Sequence, residues 1–201
     1  MFVNINVINN YTDIHMKKIA LILVSCILWT NKGIGQNINK LDEKNGFKEF
    51  TLGDNISKWT NYIKFDGNWN DGTKAYVYTG GCCNKVFDYD VENIVLRFNG
   101  STLVSIVITL KQFQERYEIS GKYTNWRSND FESLKNSFAI LFGPPSDLDK
   151  NDKTGSVVYS WVGKKVVLFS QYEYLGVTAG DRQKIIIGDL TFLNNDIQNG
   201  F

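Results

Sequence analysis

The chain is poor in the residues that most often do chemistry. Of 201 residues, one is His, two are Met, two are Pro and three are Cys. His15, Met1 and Met16 all precede Gln36, so residues 36–201 contain neither His nor Met. Without His, a Ser-His-Asp or Cys-His arrangement cannot be assembled, and neither can a His-based zinc site. An excess of charge of one sign is also lacking. Lys plus Arg number 22 against 21 Asp plus Glu, and after Gly35 the 19 basic and 20 acidic side chains are interspersed. A nucleic-acid partner requires a concentrated positive field, so none is expected. Long apolar runs are missing too: Ile19 to Trp29 has 11 residues, where a membrane-crossing helix needs about 20, and no transmembrane span is expected.

That short run has its own meaning. Met16, Lys17 and Lys18 precede it, Thr30, Asn31 and Lys32 follow, and Gly33 and Gly35 place small residues before Gln36. This order of basic, apolar and small-residue regions is that of a secretory signal cleaved before Gln36. Met1 to His15 has no such pattern, and the true start is expected at Met16. A competing reading uses Leu23, Val24, Ser25 and Cys26, a lipobox that would acylate Cys26 and make the product an outer-membrane lipoprotein. On either reading the chain is exported, to the periplasm or beyond. Residues 1–35 are then upstream extension and signal, 36–45 a flexible lead-in, and 46–201 a single domain.

Within that domain, Gly46 to Thr51 alternates aromatic and charged residues and predicts a first strand. Asp54 is a candidate N-cap, and Ile56, Trp59 and Ile63 repeat at helical spacing, predicting a helix over 55–63. Strands are expected at Thr73–Thr79, Asn93–Phe98 and Thr102–Leu110, the last two joined through Asn99-Gly100, a strong hairpin signal. Lys111 to Tyr123 is ambiguous between an extended strand and an amphipathic turn. Asn129 and Glu132 read as a capping box, and Phe131, Leu134, Phe138, Leu141 and Phe142 keep helical spacing until Gly143, Pro144 and Pro145. Ser156–Val162, a Gly163-Lys164 turn, Lys165–Tyr174 and Gln183–Leu190 then predict a three-stranded meander. The expected fold is α+β: an antiparallel sheet with two helices packed on one face, built as a duplicated helix-plus-β-meander unit over about 46–110 and 111–192.

This order of elements, with Leu52-Gly53-Asp54 opening the first helix and Leu141-Phe142-Gly143-Pro144 closing the second, resembles secreted bacterial domains of the β-lactamase-inhibitor-protein type and the related small outer-membrane assembly lipoproteins. The resemblance implies a non-catalytic module of a bacterial envelope and carries over no individual contact residue.

Three groups of residues invite a chemical reading. Cys82 and Cys83 are adjacent, follow Gly80-Gly81, and are the only cysteines after the signal. Export favours oxidation, leaving a vicinal disulfide, an intermolecular bridge or two free thiols as the choices. Asp147, Asp149, Asn151 and Asp152 imitate a calcium loop, but Asp152 stands where Gly is needed and Val158 where a bidentate Glu is needed. A solvated acidic loop is the better reading, and neither metal nor cofactor is expected. Trp69 lies in the polar turn-rich stretch Asp66–Gly72, while Tyr76 and Tyr78, and Tyr172 and Tyr174, alternate along predicted strands. Rings flanked by amides suit protein or glycan recognition, so these five are the candidate binding residues; the two Tyr pairs are expected on the open face of the sheet, the alternative being that they point inward. The expected function is a secreted or periplasmic binding or inhibitory module with a protein or glycan partner, the alternative being an envelope assembly lipoprotein anchored through Cys26. A paired-carboxylate hydrolase ranks last, because no acidic spacing stands out.

Overall fold

Tyr89–Asn99 and Thr102–Leu110, rich in Val, Ile and Leu, pair around Gly100 and Ser101 and form the centre of one large antiparallel sheet. The computed structural model describes residues 38–111, 118–119, 122–123, 127–151, 154–175 and 180–193. The export signal, its cleavage point, Cys26 and Asp152 lie outside the described residues. In chain order the elements are helix α1 (Ile38–Lys44), a hairpin of β1 (Gly46–Phe47) and β2 (Phe50–Thr51), a single 3-10 turn (Ile56–Lys58), and strands β3 (Ile63–Asn68), β4 (Lys74–Tyr78), β5 (Lys85–Val86), β6 (Tyr89–Asn99) and β7 (Thr102–Leu110). There follow a small hairpin of β8 (Glu118–Ile119) and β9 (Lys122–Tyr123), helix α2 (Arg127–Phe142), and strands β10 (Asp147–Asn151), β11 (Ser156–Val162), β12 (Val166–Tyr174) and β13 (Asp181–Asp189).

The main sheet has nine strands in the order β10-β11-β12-β13-β7-β6-β4-β3, with β5 added beside β6. Each half of the chain supplies a four-stranded meander, and the last strands of the two, β7 and β13, pair in the middle. Its inner face follows from one row of direct partners: Tyr76, Leu96, Ile106, Ile187, Leu168 and Trp161 stand opposite one another on six successive strands. Directly paired residues share a face, so this row is a continuous apolar floor, and α2 lays Phe131, Leu134, Phe138 and Phe142 on it. Gly143, at φ 84, ends α2 with its N–H on the Ala139 carbonyl. Its own carbonyl accepts from Trp161 Nε1 at 2.9 Å, which ties the helix end to β11.

The expectation of an α+β fold with two helices packed on one face of an antiparallel sheet is overturned. The protein is mostly antiparallel sheet, with α2 as the one long helix among the described residues. Where a helix was expected over 55–63 there is only the turn Ile56–Lys58, capped by Asn55 and not by Asp54, and Ile63 already belongs to β3. A nine-residue helix carrying three apolar positions gains too little burial to offset its nucleation cost. A single turn is enough to bury Trp59, while Tyr62 to Phe65 are better strand formers. Asp54 accepts from the Thr51 N–H and pairs with Lys58 instead.

Other boundaries shift for equally local reasons. The lead-in contains helix α1, which buries Leu41 and is ended by Asn45 in the left-handed region (φ 42), its N–H on the Leu41 carbonyl. Gly46 to Thr51 is not one strand but the β1–β2 hairpin; a Cβ on Gly46 would lie 2.0 Å from the Phe50 carbonyl oxygen. The β6–β7 turn is Gly100-Ser101, one residue later than Asn99-Gly100, because Asn99 pairs with Thr102. The backbone of α2 starts at Arg127, so Asn129 is inside the helix and not its cap. The β11–β12 connection is wider than Gly163-Lys164, since Val162 pairs with Val167. Finally, the acidic stretch is a strand: Asp147 to Asn151 pairs along β11 as a fully exposed edge, which gives the second meander four strands where three were expected. Charged side chains on an edge strand discourage pairing with other chains.

Candidate binding surface

Period-two alternation decides where each candidate ring points, and it sends most of them inward. Tyr76 and Tyr78 stand with Leu96 and its row on the helix side of the sheet. Tyr76 makes edge contacts with Phe65 and Phe98, and Tyr78 packs on Phe50 at 4.9 Å and near Trp59. Tyr172 lies against Phe131 of α2, with ring centroids 5.6 Å apart. Only Tyr174, at the end of β12, and Trp69 are exposed. The open sheet face therefore does not carry the patch of rings expected for it. One long helix is narrow against a nine-stranded sheet, and large rings on the inner face help to fill the remaining width.

Trp69 is explained by its neighbour. The guanidinium of Arg97 lies 3.9 Å from its ring centroid. Arg97 is itself buried, forms an ion pair with Asp71 and donates to Thr73 Oγ1. Asp71 accepts from the Thr73 N–H at 2.9 Å and its hydroxyl at 2.6 Å, and the Trp69 and Gly72 N–H groups close the turn. The Asp66–Gly72 stretch is thus a built cover over one end of the outer face, with Trp69 as its lid.

Beside that cover runs a feature with no counterpart among the sequence candidates. Val77, Val95, Val107, Ile186 and Phe169 are direct partners across β4, β6, β7, β13 and β12, so all five share the face opposite α2. None belongs to the main core, and all except Val107 keep part of their surface open. On one flank lies a parallel row of Asn93, Thr109, Lys184 and Gln171. On the other is a buried row of Ala75, Arg97, Ser105, Gly188 and Val167. A signal for the apolar row was present in the sequence: Leu103–Leu110 and Ile185-Ile186-Ile187 are apolar at both parities, which a sheet with one wet polar face does not require.

The titratable groups with displaced protonation lie elsewhere, and each moves away from neutral pH. Hydrogen bonding from Lys135, aided by Tyr159 and opposed by burial, holds the Glu132 carboxyl below its usual range. Burial, together with donation to Glu132 at 2.7 Å, pushes the Tyr159 hydroxyl up to about 12. Burial would raise Asp42, but the N–H groups of Lys165, Lys164 and Val166 and the Lys164 charge lower it on balance. Cys82 and Cys83 form a vicinal disulfide. Among the described residues, no three or more His, Cys, Asp or Glu are grouped to hold a metal ion, and no helix is long and apolar enough to cross a membrane. No protein-family model, curated protein or solved structure matches the chain.

Proposed function

We propose that the chain is an exported, non-catalytic binding module that receives a protein partner on the outer face of its sheet, along the row Val77, Val95, Val107, Ile186 and Phe169. The observation that carries this reading is the register itself: five apolar side chains in line across adjacent strands, outside the main core cluster, four of them partly open, and bordered on one flank by amide, hydroxyl and ammonium groups. An apolar strip with a polar margin is the anatomy of a protein interface. Sugars stack on flat rings, and four of these five side chains are branched aliphatics, which favours protein over glycan. The lack of His after Gly35 supports a non-catalytic role, as does the displacement of Glu132, Asp42 and Tyr159 away from neutrality, since acid–base catalysts are poised near the working pH.

Two measurements test the reading. With Val77→Lys and Ile186→Lys combined, unfolding free energy should fall by no more than about 1 kcal/mol per site, as for surface changes. Cross-linking of envelope protein to a photoreactive group at position 95 should be lost in the same variant. Undiminished cross-linking, or a stability loss on the scale of core truncation, about 3 to 5 kcal/mol, overturns the surface assignment. Intact mass of the native protein tests export separately: a chain beginning at Gln36 supports simple secretion, one beginning at Cys26 with added acyl mass supports the lipoprotein alternative, and one retaining Met16 contradicts both.

A further inference from the structure

We infer that the Cys82–Cys83 disulfide is a redox-sensitive latch that holds the 79–87 loop against the core and against α2. A bond between neighbours in sequence closes an eight-membered ring and ties no distant elements together, so the loop-closure stabilisation of an ordinary disulfide is not available to it. Its effect is local. Cys83 sits at φ 71, in the left-handed region that a non-glycine residue seldom adopts, and is buried in the core cluster. Cys82 is half-buried, and its Sγ lies 3.2 Å from Tyr78 Oη. The Tyr78 ring, held by Phe50 and Trp59, occupies the space beside Gly80 where any Cβ would collide with it. Downstream, Val86 is buried and pairs with Tyr89, and Phe87, at φ 51, sets its ring edge-on to Phe138 of α2, with centroids 5.1 Å apart. The loop therefore joins the disulfide to the helix through a backbone held twice in an unfavourable region.

The two sulfurs differ in access, and this sets the order of events. A thiolate of a small dithiol reductant reaches the Sγ of half-buried Cys82, forms a mixed disulfide there, and expels the Cys83 sulfur, which takes up a proton. The second thiol of the reductant then displaces Cys82. The protein gains two electrons and two protons, and the reductant leaves as its cyclic disulfide. The burial that shields Cys83 also makes it a poor leaving group, because apolar surroundings disfavour a thiolate, so reduction is slow but local in its consequence. Once the ring opens, nothing covalent holds Cys83 at positive φ, and the Phe87–Phe138 contact loosens.

The test uses the whole exported chain in dithiothreitol buffers of graded poise, with alkylation counted by mass and amide hydrogen exchange followed by peptide. The expected result is that both thiols appear together. Exchange across residues 80–91 should then rise by about tenfold or more, while 104–108 and 185–188 stay unchanged. Reoxidation should restore the original pattern. Exchange that is the same in oxidised and reduced protein would overturn the latch, as would global loss of protection on reduction. The Cys82→Ser/Cys83→Ser variant in oxidising buffer should match the reduced wild type; should that variant fail to fold, the reversible wild-type titration decides alone.

Discussion

Replacement of Arg97 by Met is expected to destabilise the protein by about 3–5 kcal/mol, the scale for removing one partner of a buried ion pair. Arg97 and Asp71 are 4% and 11% exposed at their side chains, and Arg97 also donates to Thr73 Oγ1. Removing the guanidinium leaves the Asp71 carboxylate with its Thr73 donors and no counter-charge, and leaves Trp69 without the cation beneath it. Trp69→Ala, which removes the cation–π contact and uncovers the buried guanidinium, should cost about 2 kcal/mol. Urea unfolding of both variants, of Asp71→Asn and of Asp71→Asn/Arg97→Met gives the ordering and closes the cycle. If the double variant is no more stable than the sum of its parts allows, the charges are not coupled and the cover over the outer face is held by something else.

Asp42→Ala is expected to cost about 2 kcal/mol at neutral pH, on the scale of hydrogen bonds to a charged acceptor with part of their surface in water. Its carboxylate accepts from the N–H groups of Lys164, Lys165 and Val166 at 2.8–3.0 Å, joining α1 to the β11–β12 turn more than 120 residues away. The pH dependence has a definite sign. The folded group titrates below its ordinary value of 3.8, so its contribution is complete above that value and is lost as pH falls through the folded pKa. The difference between wild type and Asp42→Ala should therefore be constant from pH 5 to 8 and shrink in acid. A difference that grows on acidification would show that the carboxylate is not the stabilising form.

Stability gained at Asp42 is tertiary in origin, and nothing in the sequence near it announces the role. Asp42 reads as one of several charges in a polar lead-in, and its three donors come from a turn that sequence spacing describes as two residues long. The extra width of that turn and the seat of the carboxylate are the same structural fact. The Glu132–Tyr159 hydrogen bond has a similar history, joining a predicted helix to a predicted strand at positions that no local pattern relates.

The central strands and, among the described residues, the one long helix were decided locally. Phe131 to Phe142 repeats at helical spacing before Gly143 and two prolines, and β6, β7, β11, β12 and β13 are dense in Val, Ile, Tyr and Phe, so these elements are legible without a partner. The adjacency of Cys82 and Cys83 was legible in the same way. Which face each side chain occupies was not, because a strand apolar at both parities fits its sheet either way round, and only the register with neighbours and the cover of α2 select one. That selection turned Tyr76, Tyr78 and Tyr172 inward, turned Val77, Val95, Val107, Ile186 and Phe169 outward, and reduced the expected first helix to one turn over Trp59. Burial free energy belongs to assembled surfaces and not to segments, and for this reason the candidate surface is a property of the sheet as a whole.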